Sequence, residues 1–496
     1  MDEAPGDHEA LQRLCAHFGI ATDYHDIFGH RHVIAPENLR ALLDSFDVDT
    51  GQPLQQTLHD LQQAAWRQAL PPVLAIDAEQ AHWSLTLRLP AALAETGWTV
   101  VEEGGQQHSG QVSLHAIPEG ARTDIDGVPH CERRLELALA LPMGYHRLRI
   151  DGLAGETLLL CAPPHCYRPP ALQDDGRVWG PAVQLYALRS NRNWGIGDFS
   201  DLARLAQQAA QRGAGILGLN PLHALFPHNP AHASPYSPSS RVQLNVLYID
   251  VEAIDEFREC EAAQQRVQSP EFQSRLAALR EVDLVDYPGV AAAKFEILEL
   301  LYAHFRAQHI ATGSAGAQAF DAFRAERGPS LRRHALFEAL QAHFHQADAA
   351  VWGWPAWPEG YGAPDAPAVR RFAEQHEERI GCFEYLQWQA ARQLDRVSAQ
   401  CKAVGMAVGL YLDLAVSVDR AGSDAWCERD AFALGASVGA PPDEFNPNGQ
   451  GWGLPPLRPD RLRETGYRFF IETLRGSMRS APAPRMLPRR VSMKKR

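Results

Sequence analysis

The fold class of this 496-residue chain is decided by two short apolar runs, Val183-Gln-Leu-Tyr-Ala-Leu188 and Gly215-Ile-Leu-Gly-Leu219. Between them, apolar residues recur at helical spacing, namely Phe199, Leu202, Leu205, Ala206 and Ala209. Gly213 follows them directly and is the residue type that commonly ends a helix. A strand, a helix and a second strand in this order predict a βαβ unit with parallel strands, and therefore an α/β fold.

A third strand of the same kind, Ala407-Val-Gly-Leu-Tyr-Leu-Asp413, comes only after a long insertion. The insertion covers about 256–400, and its richness in Ala, Gln and Arg predicts helices. A further helix is predicted from Arg461 to Met478. These elements together define a parallel α/β domain over 168–479.

Upstream of this domain the hydrophobic period changes. Apolar and polar residues alternate over 71–167, as in His82-Trp-Ser-Leu-Thr-Leu-Arg-Leu89, and turns separate the runs. Short strands without helices between them predict a small β-sandwich. Residues 1–70 instead carry two helical stripes, which are Ala10, Leu11, Leu14 and Phe18, and Leu39, Leu42, Leu43 and Phe46. We therefore expect a helical region before the sandwich.

Composition and charge exclude several function classes. Hydrophobic residues make up 45% of the chain and charged residues 22%, which is typical of a globular protein. The net charge of −13 argues against nucleic-acid binding. The acidic N-terminus is unlike a secretory signal, and no run reaches the ~18 apolar residues of a membrane span. Eight scattered cysteines suit a reducing compartment, so a cytoplasmic protein without membrane or nucleic-acid partners is expected.

The last residues differ sharply from the rest. From Arg475 to Arg496 there are eight Lys or Arg and no Asp or Glu. The three prolines of Ala481-Pro-Ala-Pro-Arg-Met-Leu-Pro488 are unfavourable in helices and central strands, so neither is predicted. A basic tail could bind nucleic acid, but its abrupt start after a well-formed helix argues against that role. The sequence therefore predicts a separate basic, Pro-rich tail over residues 480–496.

Motifs for other chemistries are weak. Gly195-Ile-Gly197 lacks the third glycine of a dinucleotide loop, so no nucleotide cofactor is predicted. Cys161-Ala-Pro-Pro-His-Cys166 has no second ligand pair, so no metal is predicted. Gly435-Ala-Ser-Val-Gly439 matches a nucleophile elbow, but the prolines at 441 and 442 prevent the helix that must follow, and a turn is predicted instead.

Polar residues lie where the predicted strands end. Asn220 follows the second strand and Asp413 ends the third, while Ser234 and Tyr236 lie on an intervening loop. Ligands of parallel α/β folds bind at the carboxyl ends of the strands, so these residues are candidates for a site. For Asp413 the alternative is a helix cap or a loop brace. A later Gly- and Pro-rich loop carries Trp452, and such aromatics either stack on sugar rings or pack within the protein.

These loops together resemble the amylomaltases, the 4-α-glucanotransferases of bacterial maltodextrin metabolism. The matching segments are, in order, Trp194-Gly-Ile-Gly-Asp-Phe199, Asn220-Pro-Leu-His223, Ser234-Pro-Tyr-Ser237, Gly409-Leu-Tyr-Leu-Asp-Leu-Ala-Val416, Gly439-Ala-Pro-Pro-Asp-Glu-Phe445 and Gly449-Gln-Gly-Trp-Gly-Leu-Pro-Pro456. The resemblance spans roughly 180–479. The N-terminal regions, with Leu141-Pro-Met-Gly-Tyr-His146, resemble the extra domains of longer members.

The resemblance implies a (β/α)₈ barrel that passes α-1,4-glucan segments between maltodextrins with retention of configuration. In such chemistry one carboxylate attacks the anomeric carbon, and a second, ~5 Å away, protonates the leaving oxygen. No metal or organic cofactor is implied, and the partners would be maltodextrins or other α-1,4-glucans. Tyr236 would pack at the donor sugar, Trp452 would shape the acceptor side, and Asp413 would order the pocket floor. The further implied substrate-binding residues are Ser234, Asn220, Asp443 and Gln450.

One departure from the family affects the expected activity. Amylomaltases carry the nucleophilic Asp at the end of the fourth strand, in a pattern like Ala-Leu-Arg-(Ile/Leu)-Asp-His, whereas Ala481–Pro488 contains no acidic residue. The acid/base Glu and a third carboxylate would follow later. With three predicted strands where closure needs eight, we expect a truncated barrel without catalytic residues, produced by a frameshift or stop near 480. The alternative is a non-catalytic glucan-binding fragment.

Overall fold

The computed structural model describes residues 5–480, 483–485 and 492–495. The N-terminal region contains the helices α1 (Pro5–His17), α2 (Pro36–Asp44) and α3 (Leu54–Arg67) and a hairpin of β1 (Asp23–His25) and β2 (Arg31–Val33). Both predicted apolar stripes are buried, and they pack together and against Ala433 and Ala436 of the later domain. The hairpin was not predicted, because its three-residue strands are largely exposed and carry no apolar alternation.

A β-sandwich follows, as predicted. Its strands are β3 (Val73–Asp77), β4 (His82–Pro90), β5 (Glu95–Val101), β6 (Gln107–Ser113), β7 (Glu119–Ile125), β8 (Val128–Ala138), β9 (Gly144–Ile150) and β10 (Thr157–Ala162). They form a five-stranded sheet in the order β3-β10-β9-β5-β6 and a three-stranded sheet in the order β4-β8-β7. Alternate residues of the strands, such as Leu85, Leu87 and Leu89, form the core because successive side chains of a strand point to opposite faces.

The βαβ unit consists of β11 (Ala182–Val183), α4 (Phe199–Ala210) and β12 (Ile216–Leu219). The first strand is shorter than predicted, since Leu185–Ala187 forms a 3₁₀ turn. A short antiparallel pair, β13 (His223–Ala224) and β14 (Ser240–Leu244), follows β12. Asp198 caps α4 by accepting a hydrogen bond from the Asp201 amide, and this fixes where the helix begins.

The insertion is helical in the structure. Its helices are α5 (Glu261–Gln268), α6 (Pro270–Glu281), α7 (Tyr287–Phe305), α8 (Ala315–Ala347), α9 (Pro367–Gln375) and α10 (Glu377–Ala403). A kink at Gly328, whose φ is 58°, divides α8. One continuous core joins this helical insertion to the βαβ unit, because α10 packs on α4 and its apolar side chains reach the strands.

The chain then returns to the sheet. The remaining elements are β15 (Gly409–Asp413), α11 (Ser423–Cys427), β16 (Ala436–Ala440), β17 (Gln450–Gly451), α12 (Pro459–Glu464), α13 (Arg468–Met478), β18 (Ala483–Arg485) and β19 (Ser492–Lys495). Four strands, β11-β12-β15-β18, pair in this order and all in parallel. Sequential parallel strands joined by helical connections are the arrangement of a (β/α) barrel.

Three predictions about this part of the chain are wrong. The Pro-rich segment 481–488 was expected to hold no strand, yet β18 pairs in parallel with β15. β18 tolerates Pro484 because it is the edge strand of the described sheet, where one side needs no ladder hydrogen bonds. Of residues 435–439, only Gly435 lies in a turn, and residues 436–439 belong to strand β16. The helix predicted from Arg461 to Met478 is divided into α12 and α13 at Gly466 and Tyr467, both with positive φ.

In the part of the chain that the structure describes, the helices are too short or too polar to cross a membrane.

Candidate functional site

The carboxyl ends of β11, β12 and β15 carry the sequence-predicted residues. Asn220, directly after β12, is buried, and its amide is fully engaged within the protein. Its Oδ1 accepts a hydrogen bond from the Leu185 amide at 2.8 Å, and its Nδ2 donates to Pro221 O at 2.8 Å and to the Tyr248 hydroxyl at 3.2 Å. Asn220 therefore joins the ends of β11 and β12, and its contact with glucan stays a prediction.

Tyr236 and Ser234 lie on the loop between β13 and β14. The side chain of Tyr236 is 51% exposed, and the Ser234 hydroxyl accepts a hydrogen bond from the Tyr236 amide at 3.4 Å. Tyr186, in the turn after β11, lies near enough to interact with it: burial, and secondly the Tyr236 phenol, raise the pKa of Tyr186. The strand ends therefore carry tyrosines on two different loops, and Tyr186 was not identified from the sequence.

Asp419 holds two of these loops together. Its Oδ2 accepts hydrogen bonds from the Ser237 hydroxyl at 2.9 Å and from the His232 Nε2 at 3.1 Å, and its Oδ1 accepts one from the Ala421 amide at 2.8 Å. Burial alone would raise the pKa of Asp419, but the His232, Ala421 and Ser237 hydrogen bonds outweigh it, so the pKa is lowered. The Tyr236 loop is thereby fixed to the loop after β15 by an ionised carboxylate.

Asp413 is buried as the last residue of β15, where it lies opposite Arg485 of β18 in the parallel register. The backbone after it is held by Arg241, which is buried and donates to Ala415 O at 3.1 Å and Val416 O at 3.0 Å. Burial lowers the pKa of Arg241 to about 10. The segment that follows Asp413 is therefore fixed by hydrogen bonds to its own carbonyls.

A buried histidine also holds the segment that follows Asp413. His223 Nε2 accepts a hydrogen bond from the Ala415 amide at 3.4 Å. Burial, and secondly the Arg241 cation, lower the pKa of His223 to about 3, so the ring is neutral and can accept. Neither His223 nor Arg241 was assigned a role from the sequence, because their partners lie more than 170 residues away.

The remaining predicted residues lie in and directly after the β16–β17 hairpin: Asp443 in its Gly- and Pro-rich loop, Gln450 in β17 and Trp452 just after β17. Asp443 Oδ1 accepts from the Phe445 amide at 2.9 Å and the Asn446 amide at 2.7 Å, which closes a local turn. Gln450 Oε1 accepts from the half-buried Trp452 indole at 3.0 Å. The Phe445 side chain at the tip is 90% exposed. The loop thus presents an aromatic side chain that sequence reasoning did not single out.

The segment after β15 also ties this hairpin to the other loops. Ser417 donates its hydroxyl to Pro455 O at 2.5 Å, and Arg420 donates to Ala436 O at 2.6 Å. Residues 413–421 are therefore bonded on one side to the Tyr236 loop and on the other to the β16–β17 hairpin. The structure brings these predicted loops into one cluster at the strand ends.

The Trp194-Gly-Ile-Gly-Asp-Phe199 motif has a structural role beside this cluster. Arg192 donates to Asp198 at 2.5 Å and to Asp250 at 2.6 Å, and Asp198 begins α4. Lys294 of α7 is buried and donates to Leu247 O and Ile249 O. Burial raises the pKa of Asp198, and the Lys294 cation is the largest opposing influence. Trp194 of the motif packs edge to face on Phe272 of α6, with ring centroids 5.2 Å apart, so the motif contacts the helical insertion.

Fold and site together define a class of protein. Parallel strands in barrel order, preceded by a β-sandwich, end in loops that present aromatic rings beside buried and hydrogen-bonded polar groups. Rings with polar tips suit ligands that have both apolar faces and hydroxyl groups. This is a barrel-type protein, and the loops at the carboxyl ends of its strands are its candidate site.

Comparison with known proteins defines the family. A family model described as 4-alpha-glucanotransferase matches residues 183–486, and one described as the MalQ N-terminal beta sandwich domain matches residues 69–163. The chain belongs to the 4-alpha-glucanotransferase family. The resemblance to amylomaltases is therefore confirmed, and the match extends beyond 479 into β18.

Individual relatives give the same result. The 4-alpha-glucanotransferase of Haemophilus influenzae is 40% identical over 343 residues, which are 68% of this chain and 49% of that protein. The Mycobacterium bovis 4-alpha-glucanotransferase is 35% identical over 492 residues, which are 96% of this chain and 65% of that protein. The chain thus spans from about half to about two thirds of the length of these relatives.

A solved structure is also similar. Amylomaltase from Corynebacterium glutamicum superposes with a TM-score of 0.81 at 27% identity, over 98% of this chain and 68% of that one. This likeness includes the sandwich and the N-terminal helices. The predicted fold class, the barrel domain of this family preceded by a β-sandwich, is confirmed.

Proposed function

We propose that the loop cluster at the strand ends binds α-1,4-glucans and serves the transfer of glucan segments between maltodextrins by a retaining, covalent mechanism. The observation that carries the proposal is the joining of three loops by residues 413–421. Asp419 binds the Tyr236 loop, and Ser417 and Arg420 bind the hairpin that carries Trp452. A preformed cluster with half-exposed rings binds sugar without first having to order its own loops.

In this proposal each predicted residue has a distinct task. Tyr236, 51% exposed, stacks on the donor sugar. Trp452 is held by Gln450 and shapes the acceptor side, and Asp443 fixes the turn that precedes β17. Asp413, buried at the end of β15, orders the floor of the proposed glucan-binding pocket. Ser234 and Asn220 contribute polar contacts from the neighbouring loops.

We further propose that the 496-residue polypeptide binds glucan but does not itself carry out the transfer. Retaining transfer needs a nucleophilic carboxylate and an acid/base carboxylate, ~5 Å apart, on either side of the bond. The family resemblance puts the nucleophile just after the fourth strand, where this chain continues from Arg485 as Met-Leu-Pro without Asp or Glu. Asp419 is no substitute, since its carboxylate is committed to His232 and Ser237.

The proposed place of action is the cytoplasm, and the proposed partners are maltodextrins, with no nucleic acid or membrane. All eight cysteines are free thiols and six of them are buried, which suits a reducing compartment.

Two assays on the same folded sample test both parts. Glucose release from maltotriose is measured with the purified chain, and no release above the protein-free blank is expected. Maltoheptaose binding is measured by calorimetry, with circular dichroism as the check on folding, and millimolar or tighter binding is expected. Turnover above the blank would contradict the proposal that the chain does not carry out the transfer. A folded sample that binds no glucan would contradict the proposed binding site.

A further inference from the structure

We propose that Glu259, His304 and His309 form a site for a borderline-soft divalent transition metal, of which Zn²⁺ is the type. These three residues, called here the 259/304/309 cluster, lie in the helical insertion, away from the strand-end loops. Their candidate ligand atoms all lie within 4.8 Å of one another. Two imidazoles and one carboxylate are a donor set that zinc accepts, with positions left for water or a further ligand.

An unusual turn of backbone brings the two histidines together. Arg306–Ile310 continues α7 as a π-helical turn. The Ala311 amide donates to Arg306 O at 3.0 Å, and the Ser314 amide donates to His309 O at 3.1 Å, both five residues apart. In an α-helix neighbours on one face are three or four residues apart. The wider turn instead brings His304 and His309, five apart, towards one face, and such turns are frequent at functional sites.

The distances in the cluster are close to those of a metal's coordination shell. Glu259 Oε2 lies 3.2 Å from His309 Nε2 and 3.9 Å from His304 Nε2. With metal–ligand bonds of about 2.0–2.2 Å, ligands at tetrahedral corners are about 3.4 Å apart. Small side-chain rotations therefore suffice to place all three atoms around one ion.

The hydrogen bonding of the two histidines also fits. His309 Nδ1 is 2.9 Å from the Ser314 hydroxyl, so a neutral ring that donates this N–H presents the Nε2 lone pair to the cluster. His304 Nε2 is buried and makes no hydrogen bond in the described part of the chain. A buried polar atom without a partner is costly, and a metal ion would satisfy it. An ion pair between Glu259 and His309 alone would leave that nitrogen unsatisfied.

The proposed metal would brace the insertion. Phe305 stacks on His309, with ring centroids 5.2 Å apart and planes at 21°, and also contacts Tyr385 and Trp388 of α10. Glu259 comes from the segment before α5 and is 58% exposed. An ion bound by all three residues would therefore join this surface segment to the aromatic core, and it would stabilise the folded state by mass action.

Zinc titration of the full chain tests the site. The background carries Cys166→Ser, since Cys166 is an exposed thiol that could bind zinc by itself. Equilibrium dialysis is expected to give one bound Zn²⁺ per chain, and Zn²⁺ but not Mg²⁺ is expected to raise the melting temperature. His304→Gln, His309→Gln and Glu259→Gln should each weaken zinc binding by more than the roughly 10–100-fold that loss of an outer-shell partner costs.

Matched control variants distinguish zinc binding at the 259/304/309 cluster from incidental zinc binding elsewhere on the chain. His345→Gln, a half-buried histidine of α8, and Glu261→Gln, an exposed carboxylate two residues from Glu259, should bind zinc as the background does. Equal zinc affinity in the background and in the three cluster variants would overturn the proposal, as would a folded background that binds no zinc. Because Glu259 is exposed, Glu259→Gln should fold and remain informative even if a histidine variant does not.

Discussion

The Ser237 hydroxyl donates to the Asp419 carboxylate at 2.9 Å, across 182 positions of sequence. His232 completes the arrangement at 3.1 Å, so one carboxylate unites the loop between β13 and β14 with the loop after β15. The side chain of Asp419 is 17% exposed. Shielded hydrogen bonds to a charged acceptor are stronger than neutral ones, so this contact fixes the relative positions of the two loops.

We predict that Asp419→Asn lowers the free energy of unfolding by roughly 1–3 kcal/mol at neutral pH, since hydrogen bonds to a largely shielded charge are lost. The folded-state pKa of Asp419 is lowered, so its contribution is present above the unfolded-state pKa and is lost as the pH falls through the folded-state value. Urea unfolding of both proteins at pH 7 and in acid should show the difference shrinking in acid. Asp430→Asn, at an exposed position, is the control, and a difference independent of pH would contradict this account.

A second prediction concerns the attachment of the N-terminal helices. Arg458 has a side chain only 4% exposed, and it donates to Phe46 O at 2.8 Å and forms ion pairs with Asp47 and Asp460. Arg458→Met should cost about 1–3 kcal/mol, because it leaves the Phe46 carbonyl and the largely shielded Asp460 carboxylate without their hydrogen bonds. Asp47→Asn should cost about 0–1 kcal/mol, because Asp47 is 76% exposed. Denaturant unfolding compares the two, and equal costs would show that Arg458 does not anchor this region.

Local pattern was enough to predict much of the fold. Alternation identified β4 and its neighbours, and the βαβ spacing around α4 predicted parallel strands, since both periods follow directly from backbone geometry. β18 was missed because Pro484 disfavours a strand in general, and only its edge position makes it acceptable. That position depends on where β15 lies, which local sequence does not encode.

The candidate site was harder to predict than the fold. The positions at strand ends and the family resemblance predicted Tyr236 and Asp413 as site residues, but they did not predict the structural role of Asp419. Its role depends on His232 and Ser237, 187 and 182 residues away. The 259/304/309 cluster depends on a π turn that brings His304 and His309 together, and no helical spacing rule would pair residues five apart.

A third prediction concerns a buried acid. Glu338 of α8 is 2% exposed, and burial raises its pKa to about 8. A folded-state pKa above the unfolded value of 4.5 means that the folded chain holds a proton that the unfolded chain releases. Stability associated with Glu338 is therefore greatest below pH 4.5 and is lost as the pH rises towards 8.

Glu338→Gln imitates the protonated acid and removes this dependence. Its free energy of unfolding relative to wild type should rise between pH 5 and pH 8, by on the order of 3–5 kcal/mol, at about 1.4 kcal/mol for each unit of pKa shift. Parallel denaturant titrations across this range measure the difference. The exposed Glu261→Gln should show no such trend. A flat profile for Glu338→Gln would mean that the acid is ionised in the folded state.

The last prediction tests the aromatic contact to glucan. Tyr236→Ala removes a half-exposed ring from the strand-end cluster, and maltoheptaose binding should weaken by roughly 0.5–1.5 kcal/mol, or about two- to tenfold in Kd. Tyr236→Phe keeps the ring and should bind nearly as wild type. Tyr167→Ala is the matched control, because Tyr167 is 71% exposed but lies between the sandwich and β11. Calorimetry compares maltoheptaose binding by the wild type and these three variants. If Tyr167→Ala weakens binding as much as Tyr236→Ala, the glucan does not bind on the strand-end cluster.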